Sequence, residues 1–147
     1  GGKPTSGFPL LIIIQSNAHR DAAGDEPISL VTSGTMVLED GRAVLRYDEI
    51  LDESLPPQHV TVTVENDGMQ MVREGEYTIQ LGFRKGQRYE GQYQTPFGAM
   101  DLAVFCTRLR IDLDSDGGEI LLNYQMDVNG QFAAVHDMEI RLMRQNG

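Results

Sequence analysis

The 147-residue chain has one cysteine, Cys106. No intrachain disulfide can form, and a lone thiol fits a reducing compartment, so a cytoplasmic setting is expected. Long apolar runs are also missing. The clearest, Leu10 to Ile14 ("LLIII"), falls far short of the roughly 20 residues a membrane helix needs. It lacks a basic flank and a small-residue cleavage site, so neither an anchor nor a secretory leader is expected. Positive charge is scarce too. Twelve Lys plus Arg against 22 Asp plus Glu leave a net charge of -10. Such a surface repels phosphate backbones and argues against nucleic-acid or anionic-membrane partners.

Catalytic signatures are absent as well. There is no G-x-S-x-G or S-x-x-K setting, no phosphate-cradling glycine loop and no CxxC pair. That weighs against common hydrolase and nucleotide-dependent chemistry, and no catalytic residue or cofactor is assigned. His19, His59 and His136 have no ligating partner two or four positions away, so surface or capping roles are expected and no metal. Cys106 has no histidine near it in sequence, and a packing role near the polar face of its strand is expected.

What the sequence does have is alternation. Val60, Val62 and Val64 share one face of "HVTVTVEN", and Tyr77, Ile79, Leu81 and Phe83 share one face of "EYTIQLGF". Leu109, Ile111 and Leu113 oppose Cys106, Arg108, Arg110 and Asp112, while Tyr124, Met126 and Val128 alternate in "NYQMDV". A period of two marks strands with one buried face. Asp40-Gly41, Asp67-Gly68 and Asn129-Gly130 punctuate these runs as tight hairpins do, with further turns expected at Lys85-Gly86 and Asp116-Gly117. Pro56-Pro57 and Pro96 mark loops. "DEILDESLPP" is the best helical candidate, but it is short and acidic, so a loop with at most one turn is expected.

About ten strands at regular spacing predict an all-β fold, a single antiparallel up-and-down β-barrel, with a two-sheet sandwich as the alternative. Residues 1–8 read as a tag remnant or disordered terminus and 9–147 as one barrel domain. The stretch "IDLDSDGGEI" places Asp112, Asp114, Asp116 and Gly117 at the first positions of a calcium loop. The twelfth position is Asn123 and the flanks are strands, so a hairpin is expected instead.

Six residues stand out as candidate ligand contacts. Arg108, Arg110 and Arg141 would hold a carboxylate or phosphate if they pointed into a barrel mouth; otherwise they pair with Asp112, Glu119 or Glu139 on the surface. Tyr89 and Tyr93 share a face of "RYEGQY", with Phe97 shortly after, and could line a pocket or the core.

From about Gly34 to Leu142 the chain resembles the YwiB-like proteins, a bacterial domain of unknown function. The likeness rests on "SGTMVLEDGRAVLRYDE", "TPFGAMDLAVFCTRLRIDLDSDGGEILLNYQMDVNG" and the closing "HDMEIRLM", with Phe97-Gly98, Gly118 and Tyr124 most reminiscent. It implies a calycin-type, lipocalin-like barrel and carries no substrate, cofactor or catalytic residue. Related barrels often hold a small apolar or amphipathic ligand, which is an analogy at the level of fold. A non-catalytic barrel binding such a ligand is therefore the first expectation. A protein-interaction or structural module comes second and an enzyme of unfamiliar class third.

Overall fold

In the computed structural model, which describes residues 7–20, 24–50 and 52–146, ten strands follow one another around a closed barrel. They are β1 (Phe8–Arg20), β2 (Gly24–Glu39), β3 (Arg42–Glu49), β4 (Gln58–Glu65) and β5 (Gly68–Glu74). The second half comprises β6 (Thr78–Arg84), β7 (Arg88–Thr95), β8 (Gly98–Asp114), β9 (Gly117–Val128) and β10 (Gln131–Arg144). Each strand pairs antiparallel with its sequence neighbours, and β1 closes the ring on β10 from Leu10–Arg144 to His19–Val135. Closure gives the strands partners around the ring, which a sandwich of two open sheets would not. Residues 1–6 lie outside the described residues, but Phe8, expected in the terminus, opens β1 and is buried.

The turns follow local backbone chemistry. Asn129 and Gly130 both take positive φ, 50° and 80°, as the central pair of a primed hairpin turn requires. Between β4 and β5 the turn falls one residue upstream of Asp67-Gly68. Asn66 takes the left-handed φ of 52°, which its short polar side chain tolerates, and Gly68 already belongs to β5. The stretch "DEILDESLPP", expected to be a loop with at most one turn, leaves β3 and is a loop with a turn. Asp48 and Glu49 end β3, and the Asp52 carboxylate accepts hydrogen bonds from the Ser54 amide and hydroxyl at 2.9 Å in a simple turn.

Alternation carries one set of side chains inward. Leu10, Ile12, Met36, Val60, Val62, Ile120, Leu122 and Ile140 are almost wholly buried, each worth about 1.5–3 kcal/mol relative to exposure. Strand β8 breaks the pattern with a bulge between Cys106 and Arg108, so Cys106 and Leu109 both turn inward. Cys106 is therefore fully buried in the core, not near a polar face as strict alternation implied.

The aspartate stretch is a hairpin. The Asp116 amide donates to the Asp114 carboxylate at 2.8 Å, and Arg144 donates to the Ser115 carbonyl at 3.1 Å. Gly117 and Gly118, at φ 122° and 138°, let the backbones of Leu142 and Asp112 approach where any Cβ would collide.

Candidate functional site

The three predicted arginines lie on the outside. Arg108 and Arg110 are exposed because the inward set of β8 runs through Leu109, Ile111 and Leu113. Arg108 lines an outer groove of about 570 Å³ with Asn17, Asn123, Asp137 and Glu139, and Arg110 flanks a smaller one beside Asp112 and Glu119. Arg141 is exposed and bonds Glu139 Oε1 at 2.8 Å, so it pairs on the surface. Phe97 sits 91% exposed between β7 and β8. Tyr89 and Tyr93 both pack against the core, and the Tyr89 ring also occupies the space that a side chain at Gly82 would take. The six are not gathered at one place.

The histidines are also dispersed. His19 Nε2 lies 2.8 Å from Asp137 and His59 Nδ1 2.7 Å from Asp48, while the His136 ring stacks on Tyr124 at 4.9 Å. Among the described residues no group of three or more His, Cys, Asp or Glu is placed to hold a metal. Burial pushes the Cys106 thiol up, which leaves it a poor nucleophile.

A different cluster lies inside the barrel, at the end where β3, β5, β7 and β9 finish. One register row crosses Tyr47, Val60, Arg73, Ile79, Tyr93 and Met100, and the next pairs Glu49 with Gln58. Arg73 Nη2 donates to Glu49 Oε2 at 3.1 Å, with the two side chains 24% and 19% exposed. Gln58 is 1% exposed, and its Oε1 accepts the Tyr77 amide at 2.7 Å. That leaves Arg73 Nε and Gln58 Nε2 buried with no acceptor among the described residues. A buried donor left unmade costs about 1–3 kcal/mol, so such groups call for a reason.

Tyrosines surround the pair. Burial, then the charge of Glu49, pushes the Tyr47 hydroxyl up to about 12, against the opposing pull of Arg73. Burial does the same at Tyr124, also to about 12, and raises Tyr93, with Arg73 again pulling the other way. All three therefore stay protonated near neutral pH. Tyr77 meets Tyr93 edge-on at 6.0 Å, and Phe83 meets Tyr124 at 4.8 Å.

Apolar side chains complete this end. Leu30, Tyr93, Met126, Val128 and Met138 pack on the core yet remain partly exposed, and Met100 is 37% exposed. They face the interior of the barrel, and its mouth at this end, the vestibule, also holds Arg73 and Glu49. Methionines suit such a surface because their thioethers adapt to different shapes. The opposite mouth also has an apolar lining, Leu109 and Ile111, beside Arg84 and Lys85 in a pocket of about 460 Å³. It has no buried donor lacking an acceptor among the described residues, and its charges sit on an exposed rim.

Sequence reasoning missed Arg73, Glu49, Gln58 and Tyr47. The signal was parity: Arg73 continues Met69 and Met71, Glu49 continues Ala43, Leu45 and Tyr47, and Gln58 precedes Val60. Polar residues at strand ends read as the place where burial stops, and here they mark where the interior becomes polar.

Residues 12–140 match the family described as Domain of unknown function (DUF1934). The chain belongs to this family. The "Uncharacterized beta-barrel protein YwiB" of Bacillus subtilis (strain 168) is 25% identical over 132 residues, covering 90% of this chain and 91% of that protein. The crystal structure of the ywiB protein from Bacillus subtilis superposes with a TM-score of 0.85 at 22% identity, covering 97% of this chain and 96% of that one. At that identity the likeness establishes the shared barrel fold, and the chemistry of the site has to be argued from this chain's own residues.

Proposed function

We propose that this protein is a non-catalytic, calycin-type barrel of the cytoplasm that holds a small apolar or amphipathic ligand in the vestibule beside Arg73. The observation that carries the reading is the pair of buried donors, Arg73 Nε and Gln58 Nε2, left without acceptors next to partly exposed apolar side chains. A ligand with an apolar body and one polar group would cover the partly exposed methionines and, with a side-chain shift that uncovers the buried donors, supply the missing acceptor. The acidic composition supports a small-molecule partner over nucleic acid or an anionic membrane. Native mass spectrometry of freshly purified protein, followed by solvent extraction, tests the reading. A mass adduct lost on Met126→Glu supports it, and bare protein that also fails to bind an apolar fluorophore refutes it.

A second reading, a protein-interaction module, has its own observation. Strand β3 begins pairing with β2 only at Gly34, so among the described residues Gly24 to Ser33 pair with β1 alone. Val31 on that stretch is 64% exposed. An edge of this kind accepts a strand from another chain. A partner captured by the wild type and lost on Val31→Lys would favour this reading, and capture unaffected by the substitution would count against it.

A further inference from the structure

The charge balance of the vestibule narrows the ligand class. Arg73 is the cation inside it, and its charge is already matched by Glu49 at 3.1 Å. Two buried donors remain. Arg73 Nε–H and the Gln58 amide group lack acceptors, while the Gln58 carbonyl is already occupied by the Tyr77 amide. Neutral phenols at Tyr47 and Tyr93 add hydroxyls that can donate but bring no charge.

A carboxylate entering this space would place a second negative charge beside a partly buried Glu49, and the cluster would carry a net charge of minus one. Like charges in a partly desolvated site repel, and a single guanidinium cannot fully neutralise two carboxylates. A carbonyl oxygen carries no net charge, so it can accept from the partly exposed Arg73 guanidinium without this conflict.

Building on the ligand reading, we infer that the vestibule selects uncharged amphipaths bearing a carbonyl acceptor, such as an ester, ketone or amide, over carboxylates, and that Glu49 is the residue that sets this selectivity. Glu49 acts as a filter: it fills the electrostatic place that a ligand carboxylate would otherwise take on Arg73.

The test uses a matched pair of probes, methyl decanoate and decanoate, each titrated at neutral pH against the protein by displacement of an apolar fluorophore. Wild type is expected to bind the ester at least about tenfold more tightly than the acid. In Glu49→Gln the shape is kept and the charge removed, so decanoate should gain about tenfold or more and the preference for the ester should disappear. Circular dichroism verifies that the variant is folded, and the wild-type ratio stands independently if it is not. Equal or tighter binding of decanoate by wild type overturns the inference while leaving the ligand reading intact. A folded Glu49→Gln with an unchanged ratio removes Glu49 from the role. Binding of neither probe to wild type overturns the ligand reading and the inference together.

Discussion

Arg73 and Glu49, on strands that are not neighbours, meet across the inside of the barrel with Nη2 and Oε2 3.1 Å apart. Both reach inward past Val60 on the intervening β4, where most barrel positions carry aliphatic groups. Removing either partner alone leaves the other charge partly desolvated and unmatched. Arg73→Met and Glu49→Leu are each expected to cost about 2 kcal/mol, below the full penalty of a deeply buried pair because both groups retain some solvent contact. The double variant should recover more than half of the summed loss, measured by urea unfolding as a double-mutant cycle.

The phenols of Tyr47 and Tyr124 give the fold an alkaline limit. Each has a folded pKa raised from 10 to about 12, so the unfolded chain releases these protons first. Stability from keeping them neutral is complete below pH 10 and is lost as pH rises toward 12, on the order of 2 kcal/mol per group. Ultraviolet titration should show two late phenols, and unfolding free energy should fall over the same interval. Titration of all tyrosines near 10 would contradict this.

Gly117 and Gly118 are expected to tolerate no side chain. Alanine at either position meets the backbone of Leu142 or Asp112 at a positive φ, and a loss of at least about 2 kcal/mol is predicted. The neighbouring aspartates serve the turn, so adding calcium should leave the melting temperature of the wild type unchanged.

Cys106 should behave as a sealed thiol. It is fully buried and its Sγ lies 3.4 Å from the Arg108 carbonyl. Labelling by a disulfide reagent at mildly alkaline pH is predicted to be slow in the native state and to track global unfolding in denaturant. Rapid native labelling would show that the bulge on β8 opens locally.

These residues also show what could be read in advance. Strand number, barrel closure and the hairpin at "DSDGG" follow from alternation and turn chemistry, which are local properties of the chain. The bulge after Cys106 is not local, because it depends on how β8 meets β9, so Cys106 was placed on the wrong face. Arg108 and Arg110 drew notice because they share a strand face, yet that face is the outer one. Arg73 and Glu49 lie 24 positions apart and meet only through the curvature of the closed sheet. Their shared inward parity was visible in the sequence, but their contact was not.

The ladder between β6 and β7 joins Thr78 to Gln94 and Ile79 to Tyr93, whereas β1 and β10 are paired along most of their length. Beyond Ile79 the ladder pairing ends, the Tyr89 ring fills the space over Gly82, and the Gly86 amide reaches past β7 to the Cys106 carbonyl. A hoop yields at its clasp. With two ladder pairs joining its strands, this seam is the part of the ring expected to open first. Strand amides of β6 that face β7 beyond Ile79 should therefore exchange faster than those facing β5 and those of the β1–β10 closure.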